Sequence, residues 1–290
     1  MKFDFIRRHA EQYPVRLMCR VLGVSRSGYY AWLRRPESRR GREDRQLTMR
    51  IRTIYHETRQ SYGSPRIHRE LRRQGIRCAR KRVARLMRQE GLRARSRRKF
   101  KATTDSKHTH PVAPNGLNRQ FDVSELDAVW LADITYIPTD EGWLYLAALM
   151  DLASRRIVGW SMSDRITSGL TLQALEMAVQ LRQPAAGLVH HSDRGSQYAC
   201  SDYRDALERH KIKVSMSRRG NCYDNAPMES FFRSLKVECL FGRRFATRAD
   251  ARGAIFRYIE VFYNRRRLHS SLDYLSPVEY ESDVTKEAVA

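Results

Sequence analysis

The sequence is short of cysteine, of long apolar runs and, at one end, of acid. Five cysteines occur in 290 residues, at positions 19, 78, 200, 222 and 239. Their number is odd and none has paired metal-ligand spacing, so neither a disulfide framework nor a zinc site is expected; they read as reduced thiols of a cytosolic protein. No run approaches about eighteen consecutive apolar residues, which excludes a membrane-spanning helix. The opening MKFDFIRRHAEQYP has no apolar signal-peptide core. Residues 1–121 hold 33 Lys and Arg against 9 Asp and Glu, whereas residues 122–290 hold 22 against 23. The whole of the formal +23 therefore sits in the N-terminal part. Its natural partner is a polyanion, with nucleic acid ahead of a membrane surface because no amphipathic anchor accompanies the charge.

What is present is enough for a real core, at 41% hydrophobic residues, and the length suggests two or three domains. Residues 15–34 read as a helix, a tight turn at Gly23 and a second helix capped near Ser25 or Ser27, the rhythm of a helix-turn-helix. A further helical unit follows over residues 45–101, with breaks at Ser61–Gly63, Gly75 and Gly91. Between Arg66 and Lys101, sixteen of thirty-six residues are Lys or Arg. Basic side chains around a small apolar core suit phosphate contacts. The candidates are Arg66, Arg69, Arg73, Arg80, Lys81, Arg82 and Arg85. Residues 102–121 lack periodicity and read as a linker, with His108 and His110 as solvated positions.

Beyond the linker the pattern changes. Val129–Pro138, Trp143–Asp151 and Ile157–Met162 are β-type runs consistent with an antiparallel meander. Helix over 167–180, strand over 188–191, helix over 203–210 and strand over 213–217 follow. Met228, Phe231, Phe232 and Leu235 then recur at helical steps, with Pro227 in the first turn and Asn225 placed to cap it.

Three acids stand out on this frame. Asp133 lies inside a β-run, Asp193 at the end of another, and Glu229 beside the apolar stripe of the helix. Thirty-five residues separate the second from the third. A carboxylate in a buried strand is costly unless it meets a cation or a partner. An all-carboxylate cluster suits Mg²⁺ or Mn²⁺, and two such ions about 4 Å apart clamp the attacking and leaving oxygens of a phosphodiester displacement. Asp151 is a rival first acid, better explained by a turn or a salt bridge, and Glu238 is the next candidate after Glu229. Lys236 is either a phosphate contact on the helix or an ordinary surface lysine. His190 and His191 either touch the site or only close their strand, the second being favoured.

The acid spacing, with DITYIP, HSDRGSQY, RRGNCYDNAPMESFFRSLKVE and YNRRRLHSSLDYLSPVEY, resembles the second-reading-frame (OrfB) subunit of insertion sequence 3 family transposases, in the DDE transposase and retroviral integrase superfamily. The likeness runs over nearly the whole chain. It implies an α/β fold: a ribonuclease H-like core with a mixed five-stranded sheet and flanking helices, preceded by small all-α helix-turn-helix units. The expected domains are a helix-turn-helix-like unit at 1–40, a basic helical DNA-binding domain at 41–101, the linker at 102–121, an integrase-like core at 122–281 and a tail at 282–290. Retroviral integrases carry an N-terminal zinc site, and this chain departs from them there.

The resemblance further implies metal-dependent DNA cleavage at insertion-sequence ends and strand transfer by the freed 3′-hydroxyl, first joining the two ends through one strand. Asp133, Asp193 and Glu229 would bind the metal, two ions in the family's pattern, with Lys236, Arg218 and Arg219 near DNA. Its partners would be double-stranded DNA, an upstream-frame OrfA segment and further copies of the chain, in the bacterial cytoplasm at the nucleoid. No apolar heptad is sustained over three or four repeats, so the upstream segment's zipper is expected to be missing and the chain not to be self-sufficient. A ribonuclease H-like nuclease without strand transfer and a non-enzymatic DNA-binding regulator are the rival readings.

Overall fold

The β-branched and aromatic runs after residue 121 form the sheet that positions everything else. The computed structural model describes residues 2–35, 37–95, 112–218 and 222–289. Residues 102–111 of the expected linker, with His108, His110 and also Arg219, lie outside the described residues. Strands β1 (Val129–Thr139), β2 (Gly142–Asp151) and β3 (Ile157–Ser163) make an antiparallel meander. After helix α7 (Ser168–Arg182), strand β4 (Val189–Ser192) pairs with β1 in parallel, and β5 (Lys213–Met216) pairs with β4 in parallel. The order is β3-β2-β1-β4-β5, the mixed sheet of a ribonuclease H-like fold.

One face of the sheet buries Trp130, Ala132, Ala147, Leu149 and Val158 against Leu170, Ala174, Leu175 and Ala178 of α7. Gly159 lets this packing close: a Cβ there would stand 2.2 Å from the Ala174 carbonyl oxygen. Side chains alternate along a strand, so Asp133 belongs to the other face from Ala132. Two short helices, α8 (Ser196–Ala199) and α9 (Ser201–Arg209), connect β4 to β5. The helix α10 (Ala226–Leu235) buries Met228, Phe231, Phe232 and Leu235, the expected stripe.

The chain divides into two compact units, Met1–Arg52 and Thr53–Ala290. The first contains α1 (Lys2–Arg8), α2 (Val15–Val21) and α3 (Arg26–Arg34), around Ile6, Met18, Cys19 and Tyr29. Ser25 caps α3, its hydroxyl accepting from Gly28 N at 3.0 Å. The helix α4 (Arg39–Glu57) is continuous, so the boundary falls within it and not at the expected 40/41. In the second unit, α5 (Ser64–Arg73) and α6 (Arg80–Gln89) bury Ile67, Leu71, Val83, Leu86 and Met87. The turn after α5 needs a residue with positive φ, and Gly75 supplies it at +77°.

Two expectations are corrected in this unit. Residues 282–289 are not a separate tail, because α11 (Pro277–Val289) runs through them; its Glu281 is buried, accepting from Arg182 at 3.0 Å and from Ser154. Residues 112–121 do not swing loose as a linker either. Gly116 N donates to Ser215 Oγ at 3.0 Å, and Asn115 and Arg119 both bond Asp224. No described helix is long and apolar enough to cross a membrane.

Candidate active site

The parallel register brings the first two acids together. Leu131 pairs with His191, the last paired position of β1 on β4, and Asp133 and Asp193 each lie two residues further on. They are therefore neighbours on one face, where β4 ends beside the middle of β1. Asp133 is half-buried, and its Oδ1 accepts from Ile134 N at 2.8 Å. Asp193 has just left its strand; its Oδ1 accepts from Gly195 N at 2.9 Å, which folds the turn into α8. Burial pushes the Asp133 carboxyl well above the usual carboxylate range, and the Asp193 and Glu229 charges add to the effect.

Glu229 arrives on the first turn of α10 and remains exposed. Partial burial of its carboxyl raises its pKa. The start of α10 is tied to the first acid's strand: Asn225 Nδ2 donates to the Ala132 carbonyl at 3.0 Å. Asn225 occupies the N-cap position as expected, but its side chain makes no cap bond and spends its donor on β1 instead. Lys236 starts a π-helical turn, Lys236–Leu240, that continues α10. Its Nζ stands 5.3 Å from the Tyr136 ring centroid, and its charge favours the ionised form of Asp133.

The rival acids are committed elsewhere. Asp151 is fully buried and accepts from Asp127 N, Ser154 N and Ser154 Oγ, which makes it the anchor of a turn. Glu238 is buried in an ion pair with Arg267 at 2.9 Å and accepts from Tyr258 OH at 2.8 Å. Arg267 also donates to Ser234 Oγ of α10. His190 and His191 are fully buried: His190 Nε2 bonds Tyr203 OH at 2.9 Å, and His191 bonds Ser215 and Ser217. Burial lowers their pKa values to about 3 and about 4, so both rings are neutral packing groups.

Among the described residues, no three His, Cys, Asp or Glu side chains form a ready-made metal cage. The donor chemistry nevertheless suits a hard divalent cation, since Asp133, Asp193 and Glu229 offer oxygen alone. A second observation agrees. Asn225 Oδ1 is a buried polar atom without a hydrogen-bond partner among the described residues, and the same side chain is bonded to the strand residue just before Asp133. A site with an unsatisfied polar atom at its wall is one built to hold something polar.

The basic candidates separate by position. On α5, Arg66 stacks on Tyr62 with its guanidinium 5.5 Å from the ring centroid, Arg69 pairs with Asp273 at 3.3 Å and Arg73 pairs with Glu279. Arg69 and Arg73 thus face the C-terminal segment, and Arg66 packs on Tyr62, whose hydroxyl accepts from Leu268 N of that segment. On α6, Arg80 and Lys81 are exposed, and Arg82 and Arg85 are half-exposed. Arg218 pairs with the buried Asp224 at 2.9 Å, and so does Arg119. The two guanidiniums hold the Asp224 carboxyl far below the usual carboxylate range. The sequence gives no sign of this role for Arg119; for Asn225 the one available signal is the polar pair Asp224-Asn225 standing before an apolar stripe.

The sheet order and the two acids set side by side on β1 and just past β4 define an integrase-type core joined to a small basic helical unit. Family comparison gives the same division: "Integrase core domain" matches residues 124–222 and again 229–284, and "HTH-like domain" matches residues 42–100. Transposase InsF for insertion sequence IS3A of Escherichia coli (strain K12) is 44% identical over 284 residues, spanning 97% of this chain and 99% of that protein. The IS600 uncharacterized 31 kDa protein of Shigella sonnei is 50% identical over 263 residues, spanning 91% and 97%. The chain belongs to the insertion sequence 3 family of transposases. A simian T-cell lymphotropic virus intasome, in complex with a PP2A regulatory subunit, superimposes loosely, with a TM-score of 0.47 and 14% identity over 73% of this chain and 69% of that one.

Proposed function

We propose that the chain is a DDE transposase that cleaves DNA at insertion-sequence ends and joins the freed 3′-hydroxyl to a new phosphodiester. The observation that carries this reading is the register of β1 on β4, which sets Asp133 beside Asp193 where α10 delivers Glu229. These three carboxylates would hold Mg²⁺ or Mn²⁺, one or two ions. Bound there, the cation supplies charge neutralisation at the scissile phosphate and activation of the attacking oxygen. The protein's own part is positioning: Asn225 fixes α10 against β1, and Lys236 stands at the rim for a terminal phosphate.

DNA lies against the basic helical unit in this proposal. The exposed face of α6, with Arg80 and Lys81, meets the duplex, and Arg82 and Arg85 flank it. Arg66, Arg69 and Arg73 brace α5 on the C-terminal segment and support that face from behind. Arg218 and Arg119, arranged by Asp224, serve phosphates nearer the acids. Joining two ends calls for two chains on DNA, and an upstream-frame OrfA segment strengthens that pairing.

The test is an assay on a plasmid carrying two insertion-sequence ends, with the chain alone and fused to an upstream-frame segment. Joining that needs Mg²⁺ or Mn²⁺ and fails in chelator supports the reading. Cleavage without any joining by either protein points instead to a structure-specific nuclease.

A further inference from the structure

In the unit Met1–Arg52, only residues 22–25 separate α2 from α3. The chain turns at Gly23, whose φ of +64° is one that other residues rarely adopt. Gly23 N donates to the Arg20 carbonyl at 3.2 Å and Val24 N to the Cys19 carbonyl at 3.0 Å, which closes the end of α2. Helix α1 holds this arrangement from one side. Its Lys2 Nζ donates to the Leu22 carbonyl at 2.7 Å, and its Phe3 ring lies 6.1 Å from that of Tyr29 and 5.8 Å from that of Trp32. Met18, Cys19 and Tyr29 are buried, with Leu22, Val24 and Trp32 packed against them. The inner sides of α2 and α3 are thus occupied, and the pair is a tight helix-turn-helix.

The outer side of α3 has a different character. Arg26, Tyr30 and Arg34 recur every four residues and form one stripe, with Ser27 and Ala31 beside it. All five are exposed. Neither α3 nor α2 contains an acidic residue. Residues 1–52 as a whole hold 14 Lys and Arg against 5 Asp and Glu. Such a surface suits a polyanion better than a protein partner. Nine residues make about 13 Å of helix, on the scale of the roughly 12 Å major groove. Ser27 and Ala31 are short enough to let the helix come close to the base edges. A guanidinium at either end of the stripe can fork onto guanine O6 and N7.

We propose that α3 is a base-reading helix, which places Arg26, Tyr30 and Arg34 in the major groove of duplex DNA. Helix α2 then crosses the backbone, as the first helix of such a pair does, with its exposed Arg16 and Arg20 toward phosphates. The inference shares with the reading above only that the chain binds DNA. It goes beyond that reading in assigning the unit Met1–Arg52 a site of its own. Phosphate contacts from α6 hold any sequence alike, whereas base edges met by α3 tell one sequence from another.

The experiment selects bound duplexes from a random-sequence library with the full-length chain. Wild type is compared with Tyr30→Ala and with two double variants, Arg26→Lys with Arg34→Lys, and Arg80→Ala with Lys81→Ala. Wild type should enrich a motif. Lysine keeps the charge but cannot fork onto guanine, so the double Lys variant should lose guanine from part of that motif. It should bind the selected duplex about tenfold or more weakly, with its affinity for an unselected duplex and the salt dependence unchanged. Arg80→Ala with Lys81→Ala should do the reverse, keeping the motif and weakening both duplexes alike. No motif from wild type, or an unchanged motif from the double Lys variant, would overturn the proposal. So would loss of self-association by Tyr30→Ala with the motif intact, which would make this face a protein contact. Metal-dependent nicking by wild type is scored separately: its absence would sink the transposase reading and leave the selected motif, and with it the role of α3, standing.

Discussion

Asn225 donates its side-chain amide to the carbonyl of Ala132, the residue immediately before Asp133. One hydrogen bond of 3.0 Å thus joins the strand of the first acid to the helix of the third. Asn225→Ala should leave the Ala132 carbonyl without this donor and lower stability by about 1–3 kcal/mol. Asn225→Asp should be worse for joining than Ala, because a carboxylate would face a carbonyl and add charge beside Asp133. Thermal midpoints and joining rates of the two variants check the ranking.

Arg267 and Glu238 form the most buried ion pair of the second unit among the described residues, each at most 7% exposed in its side chain. Arg267→Met should cost about 3–5 kcal/mol by stranding the Glu238 charge. The double variant with Glu238→Gln should recover much of that loss. A double-mutant cycle in denaturant measures it, and additive losses would contradict the coupling.

Acid should destabilise the protein through its two buried histidines. Their folded pKa values, about 3 and about 4, lie below the ordinary 6.5. The contribution of neutral His190 and His191 is thus fully present above about pH 6.5 and is lost as pH falls through the folded values. Between pH 6.5 and 4 the loss is roughly 3 kcal/mol per ring. Carboxyls with raised pKa values, Asp133 and Asp151 among them, slope the other way. The readout is therefore a difference: His190→Gln should show a shallower loss of stability than wild type over that range.

Phosphate binding and internal bracing should separate by salt. Replacing Arg80 and Lys81 by Ala should flatten the dependence of DNA affinity on salt, by about 0.9 in the log–log slope for each phosphate left without its cation. Replacing Arg69 or Arg73, which pair with Asp273 and Glu279, should leave that slope nearly unchanged. Binding titrations between 50 and 200 mM salt distinguish the two sets, and equal effects would refute the division.

Local pattern is enough for the sheet and for the helix of Glu229. The runs beginning at Val129, Trp143 and Ile157 carry their β-branched and aromatic signal in few residues, and Met228, Phe231, Phe232 and Leu235 carry a helical period in theirs. The juxtaposition of Asp133 and Asp193 is suggested by residue type and family likeness, but its cause is a parallel register across sixty residues of chain, which no local pattern encodes. The same limit hides the destinations of Arg69, Arg73 and Arg119. An arginine in a basic run looks alike in sequence whether it meets a phosphate or an aspartate far along the chain, and only tertiary pairing tells them apart. Helix α1 leaves no mark in the pattern, because seven residues give too short a period to read.

The most direct measurement takes Asp133→Asn, Asp193→Asn and Glu229→Gln, and follows end binding, cleavage and joining in Mg²⁺ side by side. An amide keeps the size of the side chain and removes the charge that holds a hard cation. All three proteins should bind DNA ends as wild type does, and cleave and join at least about a thousandfold more slowly, the scale of losing a main electrostatic element of such a site. Substantial joining by Glu229→Gln would contradict the account, because the next candidate, Glu238, is already paired with Arg267.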